Sequence, residues 1–231
     1  MSQSPDPSPI IDWALAERIA RWLAARTNQP SYAAESMRRD FDDLTARAEA
    51  IVGKATGLDV PTPARARVID RSEWVATNVA SFQRLLGPTL SKLAQRKESS
   101  VFAGAAPGLA RQLAGMSRSV SGTQLALVLA WMSTRVLGQY DLLVTDGVDE
   151  ANQDVVYFVG PNVASLEARY GFEPSSFRLW LALHELTHRA QFMAVPWLRP
   201  YFISLVAAGL EPLGSDPRRM LDSLRRAAAE I

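Results

Sequence analysis

The chain has 231 residues, 48% of them hydrophobic, and nearly equal basic (25) and acidic (24) counts that leave a formal net charge of +1. That length can bury a sizeable core, and the charge balance gives no electrostatic case for nucleic acid or an anionic membrane surface as partner. There is no cysteine, which excludes disulfides and thiolate metal sites and fits a cytoplasmic location.

Residues 1–9, rich in Ser and Pro, read as a disordered segment and not as a signal peptide, because no basic start precedes an apolar run. Residues 10–231 read as a single domain. Asp12 is a good N-cap for a first helix to about Arg26, with Trp13, Ala16, Ile19, Ala20 and Leu23 at helical spacing. A second helix is expected from about Tyr32 to Val52, on a face of Met37, Phe41, Leu44 and Ala48. The stretch Gly57–Ser72 holds two prolines and reads as a connection. Ser72 is then expected to cap a helix through Trp74, Val79 and Leu86, with Gly87 and Pro88 able to kink it. Helical turns between glycines come next, and Thr123–Gly138, apolar nearly all round, predicts a buried helix.

The pattern then changes. Tyr140–Thr145 and Asp154–Gly160 are short runs rich in Val, Leu and Tyr, and predict a β-hairpin. The acidic residues between them (Asp146, Asp149, Glu150 and Asp154) do not match a calcium-binding EF-hand loop and read as solvated. Helices resume near Val163 and again over about Ser176–Val195. Pro196 and Pro200 punctuate the next segment, and an amphipathic helix is expected over about Pro217–Glu230. The longest uncharged apolar stretch, Tyr201–Leu210, is about half of what spans a bilayer, so no membrane segment is expected.

The only two histidines, His184 and His188, fall in LWLALHELTHRAQF (Leu179–Phe192). Residues four apart on a helix lie about 40° apart on one face, so two imidazoles at this spacing converge on one point. Zinc suits that arrangement, since each Nε2 can approach a tetrahedral centre at about 2.0–2.1 Å. Leu181, Phe177, Phe192 and Val195 flank the histidines, while Arg178, Glu185 and Arg189 form only a narrow charged strip, so the helix is expected to be buried over most of its circumference. Two buried imidazoles would then need partners, because each unsatisfied polar group costs about 1–3 kcal/mol. Glu185 precedes Arg189 by four and could form a helix-surface ion pair with it. It could instead serve as a catalytic base, since a carboxylate at the edge of the metal face can take a proton from a metal-activated water.

HELTH (His184–His188) is the H-E-x-x-H signature of zincin metallopeptidases. With LGQYDLL and YFVGPN, it resembles the zinicin-like metallopeptidase family of actinobacteria and relatives, some of whose members are labelled coenzyme F420 biosynthesis-associated proteins. The resemblance implies a mainly α, zincin-like helical domain with zinc as cofactor, His184 and His188 as metal ligands and Glu185 as catalytic base. It implies a zinc-dependent metallohydrolase acting on an unknown peptide or protein substrate. The alternative is a non-catalytic zincin-like binding or structural protein.

A third ligand is harder to find. Gln191 and Ala194 stand where a metzincin would have Gly and His. Glu211 is the nearest downstream glutamate and a weak candidate, with an exposed residue before a proline as its plainer reading. Gln191 follows His188 by three and could support it from the second coordination shell, or be simply a satisfied polar residue. Tyr157 could donate to an oxyanion but reads better as a core tyrosine, and Arg178 and Arg189 are weaker candidates still. The resemblance implies longer chains in which a downstream E-G-H motif supplies the third ligand. This sequence ends at Ile231 without one, which leads to the expectation that it binds zinc weakly and has little peptidase activity alone, being either a truncated form or one in which a carboxylate such as Glu211, or one from a partner chain, substitutes.

Overall fold

The computed structural model describes residues 10–27, 34–58, 60–101, 107–140 and 154–210. These form α1 (Trp13–Thr27), α2 (Ala34–Thr56), β1 (Arg65–Ile69), α3 (Arg71–Val101), α4 (Pro107–Ser133), β2 (Gly138–Tyr140), β3 (Val155–Val159), α5 (Gly160–Tyr170), α6 (Pro174–Ala194) and α7 (Leu198–Leu210). The domain is mainly α, with one small sheet, as the sequence led us to expect.

The sheet differs from the expected hairpin: its strand before the acidic stretch is Gly138–Tyr140, ahead of the expected Tyr140–Thr145, whose remainder lies outside the described residues, and a third strand joins it. Its order is β1-β3-β2, with β2 antiparallel and β1 parallel to β3. The β1 strand lies inside the stretch read as a connection. Its alternation of Arg65, Ala66, Arg67 and Val68 is weak as a pattern, and its pairing with β3, some 90 residues away, is not visible locally.

The central strand organises the core. All five residues of β3 are buried. Successive side chains point to opposite faces, so Val155, Tyr157 and Val159 join Trp13, Trp74, Val75 and Leu129 on one side. Val156 and Phe158 join Met37, Phe41, Leu181 and Leu186 on the other. The layers are therefore α1, α3 and α4, then the sheet, then α2 and α6. Phe158 stacks on Phe41 of α2 with ring centroids 3.9 Å apart. Tyr157 is a core residue, as expected.

Two local expectations are corrected. The cap of α3 is Asp70, not Ser72: Asp70 Oδ1 accepts from the Glu73 N–H and Glu73 Oε2 accepts from the Asp70 N–H, a reciprocal capping box that starts the helix one residue before Ser72. That helix then continues through Gly87 and Pro88. The apolar segment after Thr123 is the second half of α4 and is not buried all round, since Leu127, Val128 and Trp131 are more than half exposed. At the start of α1, Asp12 caps as expected, accepting from the Leu15 N–H at 2.9 Å. The acidic stretch 141–153 and the expected helix at 217–230 lie outside the described residues.

Candidate active site on helix α6

Helix α6 is set by its first turn. Pro174 occupies the start, where a missing N–H costs nothing, and the side chain of Glu173 accepts from the Ser175 and Ser176 N–H groups. The Ser176 contacts, with those of Ser175, hold the Glu173 carboxyl down at about 2, well below the ordinary 4.5. Because the folded value is depressed, the contribution of this cap is fully present above pH 4.5 and is lost as the pH falls through about 2. We expect Glu173→Gln to flatten the acid limb of the unfolding midpoint against pH; an unchanged limb would show that the cap carries no pH-dependent stability. At its other side, α5 ends in a left-handed Gly171 (φ +65°), which turns the chain into α6.

The orientation of α6 is the reverse of what its composition suggests. Its buried face carries Arg178, Leu181, Ala182, Glu185, Leu186, Arg189 and Ala190. The expectation that the histidines lie in a mostly buried surface is overturned: His184 and His188 are exposed, in line with Trp180 and Gln191. The charged strip turns inward because other elements supply its counter-charges. Arg178 binds Glu167 of α5 at 2.7 Å and also pairs with Asp40 of α2. Arg189 binds Glu49 and Asp154 at 2.7 and 2.5 Å. Arg189 is thus no partner of Glu185, and Asp154 is not a solvated loop residue.

The two histidines converge. Their Nε2 atoms are 3.3 Å apart. Two nitrogens at about 2.0–2.1 Å from a tetrahedral zinc are separated by about 3.3–3.4 Å, so the pair is already at ligand spacing. Nδ1 of His188 lies 3.2 Å from Oε1 of Gln191. An amide oxygen there can accept from an Nδ1–H, a tautomer that would leave the Nε2 lone pair available to a metal. Trp180 stacks on His184 at 5.8 Å and fixes the plane of its ring. The stack continues outward through Phe177, Phe172 and Tyr170, giving an aromatic row along the exposed surface that ends at the histidines. The chemistry of this donor pair fits zinc.

Glu185 sits between the histidines in sequence but faces inward. It is 6% exposed and burial pushes its carboxyl up to about 7, with the Tyr140 backbone N–H pulling the other way. The residue that reasoning from sequence missed is Gly138. A Cβ there would lie 2.7–2.9 Å from Cγ, Cδ and Oε1 of Glu185. The strand β2 therefore presses directly on the base candidate, and the LGQ run was the only trace of this in the sequence. Among the described residues no cluster of three or more His, Asp or Glu side chains is placed to hold a metal, and Glu211 lies outside them.

The model of the zincin-like metallopeptidase family matches residues 11–230. The chain belongs to this family. Its match covers both strands against α6 and the whole of the histidine helix. Among solved structures, a presumed hydrolase with a novel fold from Chloroflexus aurantiacus is 30% identical, with a TM-score of 0.64 over 87% of this chain. This chain spans 60% of that protein's length. No curated protein was found to match. No helix among the described residues is long and apolar enough to cross a membrane.

Proposed function

We propose that this zincin-like metallopeptidase is a zinc-dependent hydrolase of peptide bonds, with His184 and His188 as metal ligands and Glu185 as general base. The observation that carries the reading is the 3.3 Å separation of the two Nε2 atoms, made on one exposed helix face and supported by Gln191. When bound, zinc supplies a Lewis acid that polarises a carbonyl and makes water acidic near neutral pH.

The protein's own groups do the rest. Trp180 and Gln191 hold the two imidazoles in the metal-accepting orientation, which lowers the cost of bringing two ligands together. Burial keeps the Glu185 carboxyl near 7, so close to neutral pH it can both accept and release a proton. In this role Glu185 takes a proton from the water that adds to the scissile carbonyl and returns it to the departing amine. A catalytic zinc normally has three protein ligands. The third would come from outside the described residues, and Glu211 remains the candidate within this sequence.

Zinc titration of the metal-free, untagged protein by calorimetry tests the ligand set. Binding is expected to weaken at least tenfold in His184→Ala and in His188→Ala, and Glu211→Ala reports whether that carboxylate contributes. Equal zinc binding by wild type and both histidine variants would remove the proposal.

A further inference from the structure

We infer that Gly138 is a positioning residue: the missing side chain in β2 is the space in which the Glu185 stem is seated beneath the Tyr140 amide. An ideal Cβ on Gly138 would stand 2.7 Å from Cγ, 2.8 Å from Oε1 and 2.9 Å from Cδ of Glu185, closer than real Cβ contacts come. Gly138 does not have the left-handed backbone that would itself demand glycine, so space alone dictates the residue. The Glu185 carboxylate accepts from the Tyr140 N–H two residues along the same strand. One strand thus sets the carboxylate twice, by contact at Gly138 and by donation at Tyr140.

The strand cannot retreat from an added methyl group. Its middle residue, Gln139, is clamped between Trp74 Nε1, which donates to it at 2.8 Å, and Asn78, which accepts from it at 3.0 Å. Asn78 in turn donates to the Trp74 carbonyl at 2.9 Å. The approach to β2 is held as well, since Asn162 donates to the carbonyls of Ser133 and Val136 at 2.8 and 2.6 Å. On the other side, α6 is fixed by Arg178 and Arg189. The three heavy atoms nearest to such a Cβ all belong to the Glu185 side chain. A Cβ at 138 therefore displaces the carboxylate and leaves the strand, the helix and the exposed histidines where they are.

The consequence for hydrolysis rests on the function proposed above, whereas the seating of the carboxylate does not, and the experiment separates the two. Melting temperatures are measured on the metal-free proteins Gly138→Ala, Glu185→Ala and the double variant. With Glu185 truncated, Gly138→Ala is expected to raise the midpoint, because the alanine restricts the unfolded chain and meets no clash. With Glu185 present, the same substitution is expected to bring no gain or a loss, and the Tyr140 amide resonance is expected to shift as it does in Glu185→Ala. Additive midpoints, an unmoved Tyr140 amide, or failure of Gly138→Ala to fold even beside Glu185→Ala would overturn the inference. Zinc-loaded wild type and Gly138→Ala are then compared on fluorescein-labelled casein. A hundredfold or greater loss with unchanged zinc content is expected, and full activity in Gly138→Ala would also overturn the positioning role. Should wild type leave casein intact, the proposed peptidase function fails on that substrate, while the melting cycle and the amide still decide the role of Gly138.

Discussion

Replacing Arg189 with methionine is expected to destabilise the protein by about 3–5 kcal/mol, the cost of breaking a buried ion cluster by removing one partner. The guanidinium is 1% exposed and uses every edge. Nε donates to Asp154 at 2.7 Å, Nη1 to Glu49 at 2.7 Å and Nη2 to the Thr62 carbonyl at 2.6 Å. Burial pushes the Asp154 carboxyl up, but bonding to Arg189 and Thr62 outweighs it and holds the group below its ordinary value. Without the arginine, two carboxylates would be left against α6 with no cation. Lysine is not an adequate substitute, because a point charge cannot serve three acceptors in one plane. Adding Asp154→Asn and Glu49→Gln to Arg189→Met should recover part of the loss by removing the unpaired charges. Urea unfolding at neutral pH provides the measurement; a loss below about 1 kcal/mol would show that the cluster is not a main tie between α2, β3 and α6.

Glu185→Gln should lose hydrolysis and yet make the metal-free protein more stable above neutral pH. The carboxyl is raised from 4.5 to about 7 in the folded state. A raised carboxyl binds its proton more tightly folded than unfolded, so it costs nothing below pH 4.5, and the penalty grows from there to about 7 and is full above it. The shift corresponds to about 3 kcal/mol, much of which a neutral glutamine would restore at pH 8. The stabilising effect should vanish at pH 4. Zinc content should be nearly unchanged, because the proposed ligands are the two imidazoles and not Glu185. A variant that is no more stable at pH 8 than wild type would show that the carboxylate is not desolvated as the fold implies, and one that hydrolyses peptides at the wild-type rate would remove Glu185 as the base.

The opposition of these effects is physically consistent. A carboxylate held in an apolar contact between Gly138 and α6 is a poor choice for stability and a good one for proton transfer near neutral pH. Arg189 is the reverse case: its charge is fully compensated, and it ties together the elements that keep α6 in place.

Much of the architecture was legible in order. The limits of α1 and α6 could be read from Asp12 and from the apolar spacing, because local capping and periodicity are properties of neighbouring residues. The strand β3 followed from its β-branched and aromatic run, but its antiparallel partner pairs as Gly138–Tyr140, ahead of the expected Tyr140–Thr145, most of which lies outside the described residues. The strand β1 was not legible, because five residues with two arginines become a strand only when a parallel partner from residues 155–159 is supplied. The motif HELTH singled out His184, Glu185 and His188 as candidates, and helix geometry guarantees that residues 184 and 188 share a face.

Which face that would be, the sequence did not determine. Phe177, Trp180 and Phe192 beside the histidines made that side look like the core, and Arg178, Glu185 and Arg189 made the other look like solvent. The tertiary structure inverts this by bringing Asp40, Glu49, Asp154 and Glu167 from three other parts of the chain to the charged side. Local sequence fixes the angle between side chains on a helix; only long-range partners, which decide whether a buried charge is compensated, fix the direction in which they point.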